Sequence, residues 1–229
     1  VIENKDRNIN KISPAMFFGG AFYSRASQFA SLTEGKLMGL SSYAVSKLDN
    51  KSIIKIIEKL EEPNMHNFCS SVLLPALSNP NTVEFRKENE FLTSLVSRNL
   101  PNESVIALAA NTQKIFQFYY TRFIQTLIDQ YNPENLVIVG GCALNCPSNT
   151  LLINKNPKIN VVISNSCNDE GISNGCAQFI KYFKSKKLNI SNQPSPFLGE
   201  YLLNKQIISQ DKTIKNLNIK KNQTKTELS

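Results

Sequence analysis

An α/β fold is predicted by three observations. A long helical pattern at 104–131 ends at Asn132-Pro133. A β-branched run at 136–139 stops at the Gly140-Gly141 pair. A second apolar run at 159–163 leads through a loop into another helical pattern. Helix–strand–helix–strand–helix order places strands side by side with crossover helices, and in such folds ligands collect at the strand C-terminal ends.

The elements follow in chain order. At 15–29 the residues Phe17, Phe18, Phe22, Tyr23 and Phe29 form an aromatic stripe that reads as a loop and helix packed into the core. Glu34-Gly-Lys-Leu-Met-Gly-Leu-Ser-Ser-Tyr43 follows as a compact motif. At 52–60 a short helix carries Ile53, Ile54, Ile57 and Leu60 on one side. The stretch 63–102 is less regular, with breaks at Pro75, Pro80 and Pro101. The helix at 104–131 repeats Val105, Leu108, Phe116, Tyr119, Phe123 and Leu127 at three- and four-residue spacing. Leu136 to Val139 reads as a buried strand ending in turn chemistry, where Gly140 and Gly141 permit positive φ and close backbone approach. Asn145 is placed to cap a helix that has Pro147 in its first turn and runs to about residue 152. Strand, glycine turn and helix N-terminus together make an anion or nucleotide cradle. A strand at 159–163, a loop at 164–171 and a helix carrying Ile172, Cys176, Phe179 and Phe183 complete the pattern. Beyond 184 the chain is polar and rich in Lys and Asn, apart from Pro194-Ser-Pro-Phe-Leu-Gly-Glu-Tyr201.

Composition narrows the function classes. The 229 residues are 41% hydrophobic, enough for one domain or a little more. No apolar run approaches the ~18 residues of a membrane helix, and Val1-Ile-Glu-Asn-Lys-Asp6 lacks a leader's apolar core, so no membrane partner is expected. Val1 in place of Met marks the expected start of a fragment. The net charge of +8 is concentrated in the tail. Residues 181–229 hold ten lysines and three acids, whereas 1–180 hold sixteen basic and fifteen acidic residues. A neutral body with a basic tail argues against nucleic acid as partner. Cys69, Cys142, Cys146, Cys167 and Cys176 form an odd set without a C-x-x-C pair, which reads as reduced, mostly buried thiols in the cytoplasm. His66, the only histidine, lies in a polar segment and is an incidental surface residue, which argues against Ser-His or Cys-His catalysis.

Three motifs stand in order: Glu34-Gly-Lys-Leu-Met-Gly-Leu40, Val139-Gly-Gly-Cys-Ala-Leu-Asn-Cys146 and Asn168-Asp-Glu-Gly-Ile-Ser-Asn-Gly-Cys-Ala177. Together they resemble the carbamoyltransferases that modify nodulation factors and antibiotics, whose pattern runs EGKxMGLAxYG, GGVALNC, GDxGxxxGAA. The chain departs from it with Ser-Ser-Tyr-Ala after the first motif, Cys142 for Val and Asn168 for Gly. Phe197-Leu-Gly-Glu-Tyr201 is similar to a later LGPxY without its Pro, so the resemblance covers about 17–201.

The resemblance implies an actin, sugar-kinase and heat-shock-protein ATPase (ASKHA) nucleotide-binding domain. Residues 1–185 would be its later part, truncated at both ends. Residues 186–229 would be a linker toward a missing C-terminal domain that breaks down carbamoyl phosphate. It implies joining of carbamate to ATP as a carbamoyl-adenylate, then transfer to a small-molecule hydroxyl acceptor. An iron-type or other divalent metal would be held by two His of an HxxxH motif and by Asp residues. By the same match, Gly140, Gly141 and Asn145 belong to the nucleotide-contacting segment, though a tight turn and an N-cap explain them as well. Gly35 and Lys36 match the EGK segment that faces ATP, while Lys36 reads equally as a solvated lysine. Gly171 lets the last helix pack near the ligand. Asp169 matches a metal-binding Asp, with a turn or cap role as the alternative, and Glu170 would lie behind it. No catalytic residue is assigned. With His66 alone, HxxxH cannot come from this chain, so the fragment by itself is expected to bind metal poorly and be inactive. Two rivals stand beside it: the tRNA threonylcarbamoyl transferases, whose corresponding segments are GGVxAN and a D-x-G loop but against which the EGKxMGL and LGPxY-like segments speak, and a non-catalytic nucleotide-binding or scaffold protein.

Overall fold

The structure, a computed structural model, describes residues 2–5, 8–11, 17–86, 100–164 and 166–185. The predicted linker at 186–229, with its 194–201 motif, lies outside the described residues. The chain divides into one unit over Val1–Ile180 and another over Lys181–Ser229. Only the end of the last helix is described in the second unit.

The described part is mixed α/β and mostly helical, with three two-stranded sheets. Strands β1 (Ile2–Lys5) and β2 (Asn8–Lys11) pair antiparallel. Helix α1 (Gly19–Phe29) follows, then α2 (Glu34–Leu40), whose start is capped by the Thr33 hydroxyl. A single 3-10 turn leads into β3 (Ala44–Ser46). Helix α3 (Asn50–Leu60) begins two residues before its sequence pattern because Asp49 caps it, its carboxylate accepting from the Ser52 amide at 2.7 Å.

The described part of the stretch read as irregular is largely helical. It holds α4 (Met65–Phe68), a π turn and α5 (Leu74–Leu77), then β4 (Val83–Phe85). Pro75 did not break it, since Pro is tolerated in the first turn of α5. β4 pairs antiparallel with β3. Three-residue strands carry too little alternation to register as a period-2 pattern.

Helix α6 (Asn102–Tyr131) is the axis of the fold, about 45 Å long at 1.5 Å per residue. It ends at Asn132, whose left-handed backbone (φ +41°) closes the last turn. The main core gathers α1, α2, α3, α5 and α7 around it, with Phe22, Leu37, Ile53, Leu60, Val105, Leu108 and Ile115 fully buried. The aromatic stripe is core, as expected: Phe22 and Tyr23 are buried and Phe17, Phe18 and Phe29 pack against the cluster. The antiparallel β3–β4 pair packs on another side of α6 through Ala44, Val83, Ile106, Ala107 and Ala110.

The predicted βαβ unit is present. β5 (Asn135–Ile138) pairs parallel with β6 (Asn160–Ile163), in register Leu136↔Val161 and Ile138↔Ile163, and α7 (Cys146–Lys155) joins them. The expectation of a buried strand needs correction. Leu136 and Ile138 pack on the core, but Val137 is 63% and Val139 67% exposed. Helices cover one face of this pair, so residues alternate between half-buried and exposed among the described residues. Helix α8 (Gly171–Ser185) carries Ile172, Cys176, Phe179 and Phe183 as predicted. Among the described residues, no helix is long and apolar enough to cross a membrane.

Buried tyrosines set an alkaline limit on this packing. Burial, then the Glu61 carboxylate, pushes the Tyr119 hydroxyl up to about 12. Burial raises Tyr23 and Tyr120 further still. The unfolded chain therefore releases these protons first, near pH 10. Stability present below that pH is lost as pH climbs through 10 toward the folded values. Denaturant midpoints measured from pH 8 to 11.5, with phenolate absorbance followed in parallel, should show a fall confined to the range above about 10. A flat profile would contradict the assigned burial.

Candidate functional site

The two glycine motifs meet at the C-terminal edge of the parallel pair. After Ile138 and Val139 the backbone turns at Gly140 with φ +96°, a conformation L side chains rarely adopt. This turn aims the Gly140 amide at the carbonyl of Cys167, 2.5 Å away, and so joins the 140–145 turn to the 166–171 loop after β6. Within the turn, the Ala143 amide donates to Gly140 O and the Asn145 amide to Cys142 O. The amides of Gly141 and Cys142, which open the 3-10 turn, find no acceptor among the described residues. Gly141 is exposed, and a Cβ there would meet nothing within 4 Å. First-turn amides of this kind are suited to acceptor oxygens of a ligand.

Asn145 performs the expected cap: its Oδ1 accepts the Ser148 amide at 3.1 Å. The rest of its carboxamide faces inward. Asn145 is buried and exchanges two hydrogen bonds with Gln113 of α6, at 2.9 and 3.1 Å. Gln113 also accepts from the Tyr23 hydroxyl at 2.8 Å. A second buried pair runs from Tyr120 to Asn149 at 2.9 Å, and Asn149 donates to Ala143 O at 2.7 Å. Two side chains from α6 and one from α1 thus hold the turn. Sequence reasoning put Tyr23 in the aromatic core and did not single out Gln113. The available signal was Asn111 and Gln113 inside an otherwise apolar helix, since most buried carboxamides are partnered.

The 166–171 loop is similarly constrained. The Gly171 amide bonds Asn168 O at 3.0 Å and the Ile172 amide bonds Asp169 O at 3.1 Å, a turn that starts α8. A Cβ on Gly171 would run into the Ser166 carbonyl, so this glycine is needed by backbone packing. Asp169 and Glu170 are exposed at the tip. On the other side of the turn, a Cβ on Gly20 of α1 would meet Cys142 Sγ at 2.9 Å. The Cys142 thiol is half-buried and burial pushes its pKa up. The cysteines are less buried than expected: Cys69 and Cys167 are buried, Cys146 and Cys176 exposed, all free.

Gly35 and Lys36 are exposed on α2, which packs on α1 and α6. Glu34 is tied to α1 by the Ser24 hydroxyl at 2.8 Å; its own backbone amide, then Ser24, holds its carboxyl below the usual range. The Lys36 ammonium has no ion-pair partner among the described residues. His66 is exposed, its Nε2 3.0 Å from the Arg25 guanidinium. Among the described residues no three His, Cys, Asp or Glu side chains stand close enough to hold a metal.

Residues 3–178 match the family model described as carbamoyltransferase N-terminus. The chain belongs to the carbamoyltransferase family. The matched span of this carbamoyltransferase chain includes β5, α7, β6 and the start of α8, so Gly140, Gly141, Asn145, Asp169 and Gly171 all lie inside it, as do Gly35 and Lys36. Carbamoyl transfer is the chemistry that membership supports. No curated protein matches the chain by sequence.

Proposed function

We propose that this carbamoyltransferase chain supplies one wall of an ATP site in an O-carbamoyltransferase of the ASKHA architecture. Carbamate released from carbamoyl phosphate attacks the α-phosphate of ATP and expels pyrophosphate, giving a carbamoyl-adenylate. A hydroxyl of a sugar or other small molecule then attacks the carbamoyl carbon, AMP leaves, and the hydroxyl proton passes to a base. The observation that carries the reading is the bond between Gly140 and Cys167, which joins the Asp169 loop to a turn whose Gly141 and Cys142 amides find no acceptor among the described residues. Those amides would hold phosphate oxygens, and developing negative charge there is what such donors stabilise. Lys36 would add a cation from α2. Asp169 would contribute one carboxylate to a divalent-metal site, where the metal would neutralise phosphate charge.

Gly141 provides the test. A Cβ there meets no atom within 4 Å, so Gly141→Val should fold with a nearly unchanged melting temperature while putting bulk beside the amides. Calorimetry with Mg-ATP is expected to show binding by the chain and at least about a tenfold loss in the variant, the scale of one or two lost hydrogen bonds. A folded chain that takes no nucleotide, or a variant that binds like the parent, sinks the reading.

A further inference from the structure

Helices α3 and α6 enclose a cleft of about 230 Å³ that contains no residue of the 140–145 turn or the 166–171 loop. Helical spacing builds it: Ile54, Ile57, Glu58 and Glu61 share one face of α3 and meet Tyr119, Arg122 and Phe123 of α6. Ile57 is buried and Ile54 and Phe123 half-buried, which gives the cleft an apolar floor. Its rim is charged and asymmetric. Two carboxylates stand on the α3 side, and the Arg122 guanidinium stands on the α6 side. Opposite charges share one cleft, yet none of the three is ion-paired among the described residues. Glu61 is held instead by Tyr119, a side chain only 5% exposed, whose hydroxyl donates to Glu61 Oε1 at 2.8 Å. A buried hydroxyl committed to one carboxylate separates this rim from freely solvated surface charge, because the ordering of that side chain precedes any ligand.

Size and charge complementarity select the occupant. Sites for drug-sized ligands run to roughly 300–1,000 Å³, so this cleft suits a smaller molecule. An apolar body would displace water from Ile57 and Phe123 on the floor. An ammonium would meet Glu61, with Glu58 adding to the negative field, and a carboxylate would meet Arg122 in the two-pronged geometry that guanidinium favours. A ligand with one charge leaves one wall without a partner. We propose that the α3–α6 cleft binds a small zwitterion, an α-amino acid with an aliphatic side chain. The site is separate from the nucleotide reading above and does not depend on it.

NMR titration of the full chain with three probes tests this. L-Leucine carries both charges, L-leucinamide lacks the carboxylate, and 4-methylpentanoate lacks the ammonium. Leucine is expected to bind saturably, shifting resonances of α3 and α6 around the cleft, and at least about tenfold more tightly than either analogue, the scale of one lost charge-assisted bond. Arg122→Gln should erase the preference over leucinamide and keep that over 4-methylpentanoate. The double variant Glu58→Gln, Glu61→Gln should do the reverse. These three side chains are exposed, so the variants should fold like the parent. No saturable binding of leucine, three probes that bind alike, or shifts away from the cleft overturn the proposal. So does a folded variant that keeps the preference it should lose. The comparison of probes needs the parent chain alone, so it decides the matter even where a variant does not fold. ATP takes no part in the titration, and a failure here leaves the nucleotide reading untouched.

Discussion

Phe116→Ala is expected to lower the free energy of unfolding by about 3–5 kcal/mol. The ring is 2% exposed and touches three others. Its centroid lies 5.8 Å from that of Phe17 and 5.2 Å from that of Tyr23, both edge-on, and it stacks on Tyr120 at 5.5 Å. Truncation removes a large apolar group and leaves a hole that helices packed on three sides cannot close, so a cavity cost adds to the lost transfer energy. The loss should also reach the turn, because Tyr23 and Tyr120 carry the hydroxyls that hold Gln113 and Asn149. Urea denaturation would show it as a lower midpoint at unchanged slope. A loss under about 1 kcal/mol would mean that α1 and α6 do not meet in this way.

Asn111→Leu should cost about 2–4 kcal/mol although it adds apolar surface to a site that is fully buried. The Asn111 carboxamide accepts from the Ser46 hydroxyl and donates to Leu77 O at 2.8 Å and Thr82 Oγ1 at 2.7 Å. One side chain on α6 thereby ties β3, the end of α5 and the turn before β4. A leucine of similar volume leaves the Leu77 carbonyl and the Ser46 hydroxyl without this partner, and an unpaired buried group costs more than a made bond returns. Hydrogen exchange gives the local readout. The Lys47 and Arg86 amides, bonded to Thr82 O and Tyr43 O at the two ends of the β3–β4 pair, should lose protection more than amides at the centre of α6. Equal loss at both places would show that Asn111 supports the whole fold and not this strand pair.

Long periodic elements were legible in the sequence. The spacing of Val105, Leu108, Phe116 and Tyr119 predicted α6 to within two residues of its start, and Asn132-Pro133 marked its end. The glycine pair, Asn145 and Pro147 predicted the turn and the capped start of α7, because each of those residues acts through its own backbone or its nearest neighbours. The pairs β1–β2 and β3–β4 were not legible, since β3 and β4 are only three residues long and β1 and β2 are polar, without the apolar run that marked β5 and β6. Nor was the exposure of Val137, which depends on whether a second layer covers the sheet.

What the residues determined unaided was therefore local chemistry and its order along the chain: helices, two strands, three motifs and the family they mark. The tertiary structure decided which of those motifs act together. It joined the Gly140 turn to the Asp169 loop through the Cys167 carbonyl, placed Gly35 and Lys36 on a separate helix, and set Gln113 under Asn145 from 32 positions away. Contacts of that kind come from the packing of α1 and α7 on α6. No pattern confined to a few neighbouring residues carries them, because the partner of a buried polar group is chosen by the fold that buries it.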